Sequence, residues 1–364
     1  MPSPIVDVLG LTHDEFLAAA RAALPEGHGI ASQLYRQALQ CGGFDFSRLG
    51  TPVPATRQAQ WQDSFRVGLL TPQRILEERG TLGATIKAVL ATADGYRVET
   101  VLIPMRAHAD GRLAASTQCL STQVGCRMGC TFCETARLGL IRNLSAAEIV
   151  SQVVTARVRL GWRAKNLVFM GMGEPLDNWD ALHQALRVLS DPHGLSYGQD
   201  RITICTSGHL AGIERLAKLG WKRLNLSISL TSADDETRSR LMPINRSAPL
   251  ARLQQALLAY RPRRCFALGV NYCLLPGIND RREDAARVAA FCRPLGRCLV
   301  NVIPYNPGSQ PLTRPPTDEE VDRFIGWLRE EGLAVRRRIT KGRSIMAACG
   351  QLGNSQRSRE TAGV

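Results

Sequence analysis

The stretch VGCRMGCTFCETARLG, residues 124–139, decides how this chain is read. It sets Cys126, Cys130 and Cys133 in the spacing C-x3-C-x2-C, among glycines. Three thiols this close do not make a satisfactory set of mutual disulfides. Each can ligate one iron of a four-iron cluster, which would leave the fourth iron open to a substrate or cofactor. Zinc would want a fourth Cys or His nearby, and this loop has no His. A third reading is of cysteines buried simply as small hydrophobes. Phe132, beside Cys133, could shield a cluster from water and so tune its potential.

Around this loop the chain alternates strand and helix. Strand candidates are NLVFM (166–170), RITIC (201–205), RLNLSIS (223–229), ALGVNYCLL (267–275), CLVNVIPY (298–305) and AVRRRI (334–339). One helix between them opens with a capping box, Ser145 to Glu148, and carries Ile149, Val153, Ala156 and Leu160 as one buried stripe. Another opens at Thr317 to Glu320. The alternation predicts a parallel sheet. About six repeats suggest a partial (β/α)6 barrel with its chemistry at the C-terminal strand ends, where the cysteine loop falls. Residues 1–65 read as a helical accessory domain, with a capping box from Thr12 to Glu15 and a second periodic run at 31–40. Residues 66–118 read as a small β extension leading into the barrel, with two short strands joined at Asp94-Gly95. The barrel and a C-terminal cysteine segment then occupy 119–353, and 354–364 reads as a disordered tail.

The 364 residues are 44% hydrophobic and 21% charged, which is globular composition and excludes a disordered or collagen-like chain. No apolar run approaches the roughly 18 residues of a membrane span, so no membrane partner is expected. The N-terminus lacks the basic and apolar regions of a secretory signal. A cytoplasmic monomer is expected. Lysine and arginine total 46 against 32 acids, a net charge of +14, which favours a polyanionic partner, chiefly nucleic acid. A GC-rich genome would also give an arginine excess. Eleven cysteines in a chain of a reducing compartment point to metal or catalytic use rather than a disulfide scaffold.

Further motifs stand in order along the chain: STQVGC (121–126), IRNLS (141–145), GMGEPLDN (171–178), MPIN (242–245), IPYNP (303–307) and AACGQL (347–352). Taken alone, GMGEPLDN is a β–α turn with an acid at a helix start. Asn306 is a turn residue, and Cys119 and Cys349 are small buried hydrophobes. Together with the cysteine spacing, the motifs resemble the RlmN/Cfr family of radical SAM RNA methyltransferases from about residue 70 to 353. The N-terminal helices resemble that family's accessory domain only loosely.

The resemblance implies a [4Fe-4S] cluster on Cys126, Cys130 and Cys133, and S-adenosyl-L-methionine (SAM) used twice per turnover. It implies SAM contacts at Gly173, Glu174, Cys205, Ser229, Leu230, Thr231 and Asn306. It departs from the family where Cys205 replaces a usual Ser, where Thr231 replaces a usual His, and where Glu134, Thr135 and Ala136 replace a small-Thr-Gly run. Thr and Cys can make part of the replaced hydrogen bonds, Cys more weakly. In the implied mechanism Cys349 is methylated by SAM. A radical from a second SAM takes hydrogen from that methyl group, and the carbon radical attacks C2 or C8 of an adenine in rRNA or tRNA. Glu99 is the implied proton acceptor. Cys119 then attacks the bridging sulfur, and a cytosolic reductant resets the transient Cys119–Cys349 disulfide. Arg261, Arg263 and Arg264, and Arg336, Arg337, Arg338, Lys341 and Arg343, are candidates for phosphate contacts, with the target base turned out of its stack. A radical SAM enzyme acting on another substrate and a non-catalytic iron–sulfur RNA-binding protein are the alternatives. A mere binder would need neither Cys119 nor Cys349. Cys41, Cys265, Cys273, Cys292 and Cys298 match no motif and read as structural.

Overall fold

The computed structural model describes residues 5–107, 113–260 and 267–353; the expected tail, Cys265 and the Arg261–Arg264 cluster lie outside them. Three helices open the chain: α1 (His13–Ala23), α2 (Ala31–Cys41) and α3 (Ala55–Ser64). The Thr12–Glu15 box forms as the spacing predicts, each side chain closing the other's backbone amide. Phe16, Tyr35, Trp61 and Phe65 bring their rings together beneath these helices. Phe65 reaches this core through a two-residue pairing of Phe65–Arg66 with Val6–Asp7.

A ten-stranded sheet follows, its strands lying in space in their sequence order. The strands are β1 (Thr71–Gly80), β2 (Gly83–Ala91), β3 (Arg97–Ala107), β4 (Leu113–Cys119), β5 (Asn166–Phe169), β6 (Ile202–Thr206), β7 (Asn225–Ser229), β8 (Leu268–Leu274), β9 (Cys298–Pro304) and β10 (Ala334–Arg337). Strands β1 to β4 form an antiparallel meander. From β4 onward every pairing is parallel. The parallel pairings follow from the connections, since each crossover carries a helix. These are α4 (Ala146–Arg159), α5 (Trp179–Ser190), α6 (Leu210–Lys218), α7 (Asp235–Leu241) with α8 (Leu250–Ala259), α9 (Arg282–Cys292) and α10 (Asp318–Glu330). The result is the expected partial barrel, with all its strand ends of one polarity on one rim. No described helix is long and apolar enough to cross a membrane.

Two elements differ from the sequence reading. Strand β1, TPQRILEERG, has no apolar alternation and was not expected; it is an almost wholly exposed edge strand. Its charge serves a distant contact, because Glu78 accepts bonds from the amides of Gly342 and Ser344 at 2.5 and 2.7 Å. Helix α4 was expected to bury one stripe. Instead every residue from Ile149 to Ala156 is buried, because the N-terminal region covers its outer face. Leu70 N donates to Ser151 Oγ there at 2.8 Å. On the inner face, Gln152 accepts from Ser121 N at 2.9 Å and donates to Ser121 O at 2.8 Å. This amide thereby fixes the chain as it leaves β4 for the cysteine loop. Gln152→Met keeps the volume but strands two buried backbone groups, so it should lower the unfolding free energy by about 2 to 3 kcal/mol, read from denaturant titration.

Candidate active site

The C-terminal rim of β5 to β9 holds a cavity of about 180 Å³, placed at the strand ends where small-molecule ligands of such sheets bind. The cysteine loop forms one wall, supplying Cys126, Cys130, Phe132 and Cys133. The loop is closed by a bond from Cys126 N to Gly139 O at 2.8 Å. Gly125 makes that closure possible: with φ at 78°, a Cβ there would lie 1.9 Å from Gly139 O. Burial pushes the Cys126 thiol up to about 12, drives Cys130 well above the ordinary range, and raises Cys133 against the amides of Ala136 and Thr135. Such thiols ionise readily only against cations, which is what metal ligation supplies. The three thiols stand on one short loop in the wall of the cavity, each able to take one iron of a cluster. The donor set fits an iron–sulfur cluster.

Opposite the loop, the turn after β5 carries Gly173 and Glu174 into the cavity wall. Glu174 is buried, and burial raises its carboxyl above the usual range. Its Oε2 accepts from Ser207 N and Ser207 Oγ, both at 2.8 Å, and its Oε1 from Leu176 N at 3.2 Å. No cation pairs with it among the described residues. A carboxylate so placed would be completed by an ammonium-bearing ligand. Gln123, which the sequence reading passed over inside STQVGC, ties this turn to the cysteine loop. Its Oε1 accepts from Glu174 N at 2.9 Å and its Nε2 donates to Asn143 Oδ1 and Asp177 Oδ2, both at 2.9 Å. Gly173, at φ 97°, lets the two segments meet, since a Cβ would come within 2.6 Å of Gln123 Cβ.

Cys205, Ser229 and Thr231 also line the cavity, whereas Leu230 and Asn306 do not. Cys205 Sγ lies 3.5 Å from Ser229 Oγ and 3.2 Å from Asn271 Nδ2, so the thiol keeps polar partners where a hydroxyl was expected. Burial pushes that thiol up to about 11. Thr231 has a left-handed backbone, φ 56°, held by Asn279 Nδ2 on its carbonyl at 2.6 Å. Leu230 is fully buried. Asn306 Oδ1 instead accepts from Arg343 Nε at 3.1 Å. Behind the rim sits a buried cation that no motif announced. Arg238 donates to the carbonyls of Ser207, Leu230 and Ser229 at 2.7, 3.1 and 3.3 Å and to Asn245 Oδ1 of MPIN at 2.6 Å. It staples the ends of β6 and β7 together.

Cys349 closes the cavity from the C-terminal segment, and its thiol is exposed. Cys119 lies buried in an apolar cluster with Val101, Met172, Ala347 and Leu352, so residues on both sides of Cys349 share its cluster. Burial first, then the neighbouring Cys349, pushes the Cys119 thiol up. Cys273, read from sequence as structural, also stands in the cavity wall, where burial first, then Cys349 and Cys133, pushes its thiol up to about 12. Glu99 is fully buried beneath the segment rather than on the cavity wall. Its Oε2 accepts from Gly353 N at 3.2 Å and faces Lys87 Nζ at 3.5 Å, while Lys87 also donates to Met346 O at 2.9 Å. The lone lysine in the apolar run IKAVL was the available signal for this pair.

Glu134, one of the departures from the resembled pattern, turns out to be a clasp. Its Oε1 accepts from Ser309 N at 2.7 Å and its Oε2 from Ser309 Oγ at 2.9 Å. Its backbone N–H donates to Gly350 O at 2.8 Å, and Thr135 Oγ1 donates to Leu352 O at 2.6 Å. The cysteine loop and the Cys349 segment are thus tied side by side. Thr135→Val removes the side-chain bond to Leu352 and should loosen that tie, so tryptic cleavage after Arg343 should speed up several-fold, read by mass spectrometry of the fragments.

The Radical SAM superfamily model matches residues 120–289, the span from the cysteine loop through the middle of the barrel. A solved radical SAM methyltransferase from Sphaerobacter thermophilus superimposes with a TM-score of 0.84 at 35% identity, covering 96% of this chain and 99% of that one. "Probable dual-specificity RNA methyltransferase RlmN 1" of Protochlamydia amoebophila is 39% identical over 362 residues, 99% of this chain and 97% of the relative. "Dual-specificity RNA methyltransferase RlmN" of Lawsonia intracellularis is 36% identical over 99% of this chain and all of the relative. The chain belongs to the RlmN family of radical SAM RNA methyltransferases.

Proposed function

We propose that the protein methylates an adenine carbon in RNA, with Cys349 as the methyl carrier and Cys119 as the thiol that releases the product. One observation carries this reading: the three loop cysteines, Glu174 and Cys349, far apart in sequence, line one cavity. Cys126, Cys130 and Cys133 would hold a [4Fe-4S] cluster, which supplies the electron for reductive cleavage of SAM. Glu174 and the turn at Gly173 would bind the methionyl ammonium, and Cys205, Ser229 and Thr231 would orient the rest of the ligand. Leu230 and Asn306 would act from behind, Leu230 through its backbone position and Asn306 by holding Arg343.

An aromatic C–H carbon is too weak a nucleophile to take a methyl group from SAM directly, so the reaction is divided into covalent steps. Cys349 is suited to the carrier role because its thiol is open to the cavity while its segment is held by Glu134 and Thr135. Two SAM molecules per turnover follow, one to load Cys349 and one to activate the loaded methyl group. Glu99 would remove the proton from the attacked carbon, with Lys87 beside it as counter-charge, while the odd electron that radical attack leaves on the ring would return to the cluster that supplied one for SAM cleavage. Cys119 then attacks the Cys349 sulfur. The sulfur–sulfur bond forms as the carbon–sulfur bond breaks, the released electron pair is protonated at the new methyl carbon, and a reductant of the cell returns both thiols.

The order of steps gives the test. Cys349→Ala should accept no methyl group and modify no RNA. Cys119→Ala should still build the RNA–protein adduct but fail to release it, so the purified protein should carry nuclease-sensitive RNA on a denaturing gel. The double variant should carry none. Normal turnover by Cys119→Ala, or trapping by Cys349→Ala, would overturn the assignment. Nucleoside mass spectrometry of RNA from cells with and without the gene identifies the modified base.

A further inference from the structure

Beyond the cavity, the C-terminal end of β10 opens onto a second pocket, lined in part by Pro304, Arg337, Arg338, Ile339 and Arg343. Arg337 is neutralised there by ion pairs with Asp318 and Asp322. Its neighbours are not. The Arg338 guanidinium is half-buried and makes no hydrogen bond or ion pair among the described residues, its backbone alone being tied, to Val302 O at 2.9 Å. Lys341 Nζ donates to the carbonyl of Pro104, and no carboxylate pairs with it. Arg343 has only Asn306 Oδ1 as a bonded partner, at 3.1 Å. The nearest acids are engaged: Asp318 with Arg337, and Glu78, which feels Arg343, with the amides of Gly342 and Ser344.

Arg338 is thus left without a counter-anion, and Arg343 shares the charge of Glu78 with two backbone amides. Burial and the charge of Arg338 both depress the Lys341 ammonium. A tetrahedral dianion or a phosphodiester would relieve that repulsion, and the guanidinium fork suits a phosphate. Ile339, 73% exposed, stands next to Arg338 and offers an apolar contact to a sugar or a base face. The site adjoins the segment of the chemistry, because Arg343 binds Asn306 at the end of β9 and begins the segment that carries Cys349.

We propose that Arg338 and Arg343, which both line this pocket, form a cradle for one backbone phosphate of the RNA, adjoining the nucleotide that enters the cavity. The inference rests on the RNA methyltransferase reading and names where that substrate is gripped. The experiment uses the full chain with its cluster reconstituted anaerobically. The probe is an RNA hairpin with an adenine in its single-stranded loop, and affinity is read by filter binding over a series of KCl concentrations. Arg338→Gln should reduce the slope of log affinity against log salt by about 0.7 to 0.9, the signature of one lost phosphate contact. Iron content and SAM affinity should stay at the wild-type level. Arg338→Lys keeps the charge and should keep the slope, with weaker binding from the lost fork. Wild-type slope and affinity in Arg338→Gln would overturn the cradle while leaving the RNA reading intact. A wild-type protein that fails to bind the hairpin at low salt would overturn both.

Discussion

The carboxylates of Glu78 and Glu99, with the main chain of Glu134, fold the end of the chain back onto the cavity, and the site depends on them. Glu78 accepts the amides of Gly342 and Ser344, Glu99 accepts the amide of Gly353, and Glu134 binds Ser309 while its own amide holds Gly350. Bonds from backbone N–H to an ionised oxygen are among the stronger ones available. They come here from three separate places: the exposed edge strand, an interior strand and the cysteine loop. Between them lies Cys349. Without these ties, a short segment rich in glycine and small residues would have little apolar area to hold it in place.

The rim itself depends on polar groups whose partners are equally remote. Arg238 gathers three carbonyls from the ends of β6 and β7. Gln152 holds Ser121 by both backbone groups, and Gln123 holds the Glu174 turn. Each satisfies groups that would otherwise be buried without partners. Rigidity at the strand ends is therefore built from side-chain amides and one guanidinium, while the apolar packing of the sheet and helices lies below.

What the sequence made legible was whatever repeats locally. The strands from NLVFM to AVRRRI are all present, and the capping boxes at Thr12, Ser145 and Thr317 form as their spacing requires. The cysteine loop, the Glu174 turn and Cys349 could be picked out because their residue types are chemically marked. What stayed hidden depends on long-range meeting. The pattern of β1 describes no buried face because its function is Glu78. The stripe on α4 understated its burial because the covering helices belong to another part of the chain. Arg238, Lys87, Asn271 and Cys273 look ordinary in sequence and acquire meaning only from the carbonyls, carboxylate and thiols around them.

Strand β4 pairs antiparallel with β3 on one side and parallel with β5 on the other. The meander and the barrel are therefore not modules joined by a linker; they share a hydrogen-bonded strand, and neither can be excised without exposing the other's edge. A cut after Cys119 would remove the first parallel strand as well as the strands carrying Glu99 and Lys87. Any ancestral addition of the meander to a smaller barrel would have had to arrive as an extension of its existing edge. Heat or denaturant should then melt the two parts together, and insertions between them should be tolerated only at the turns.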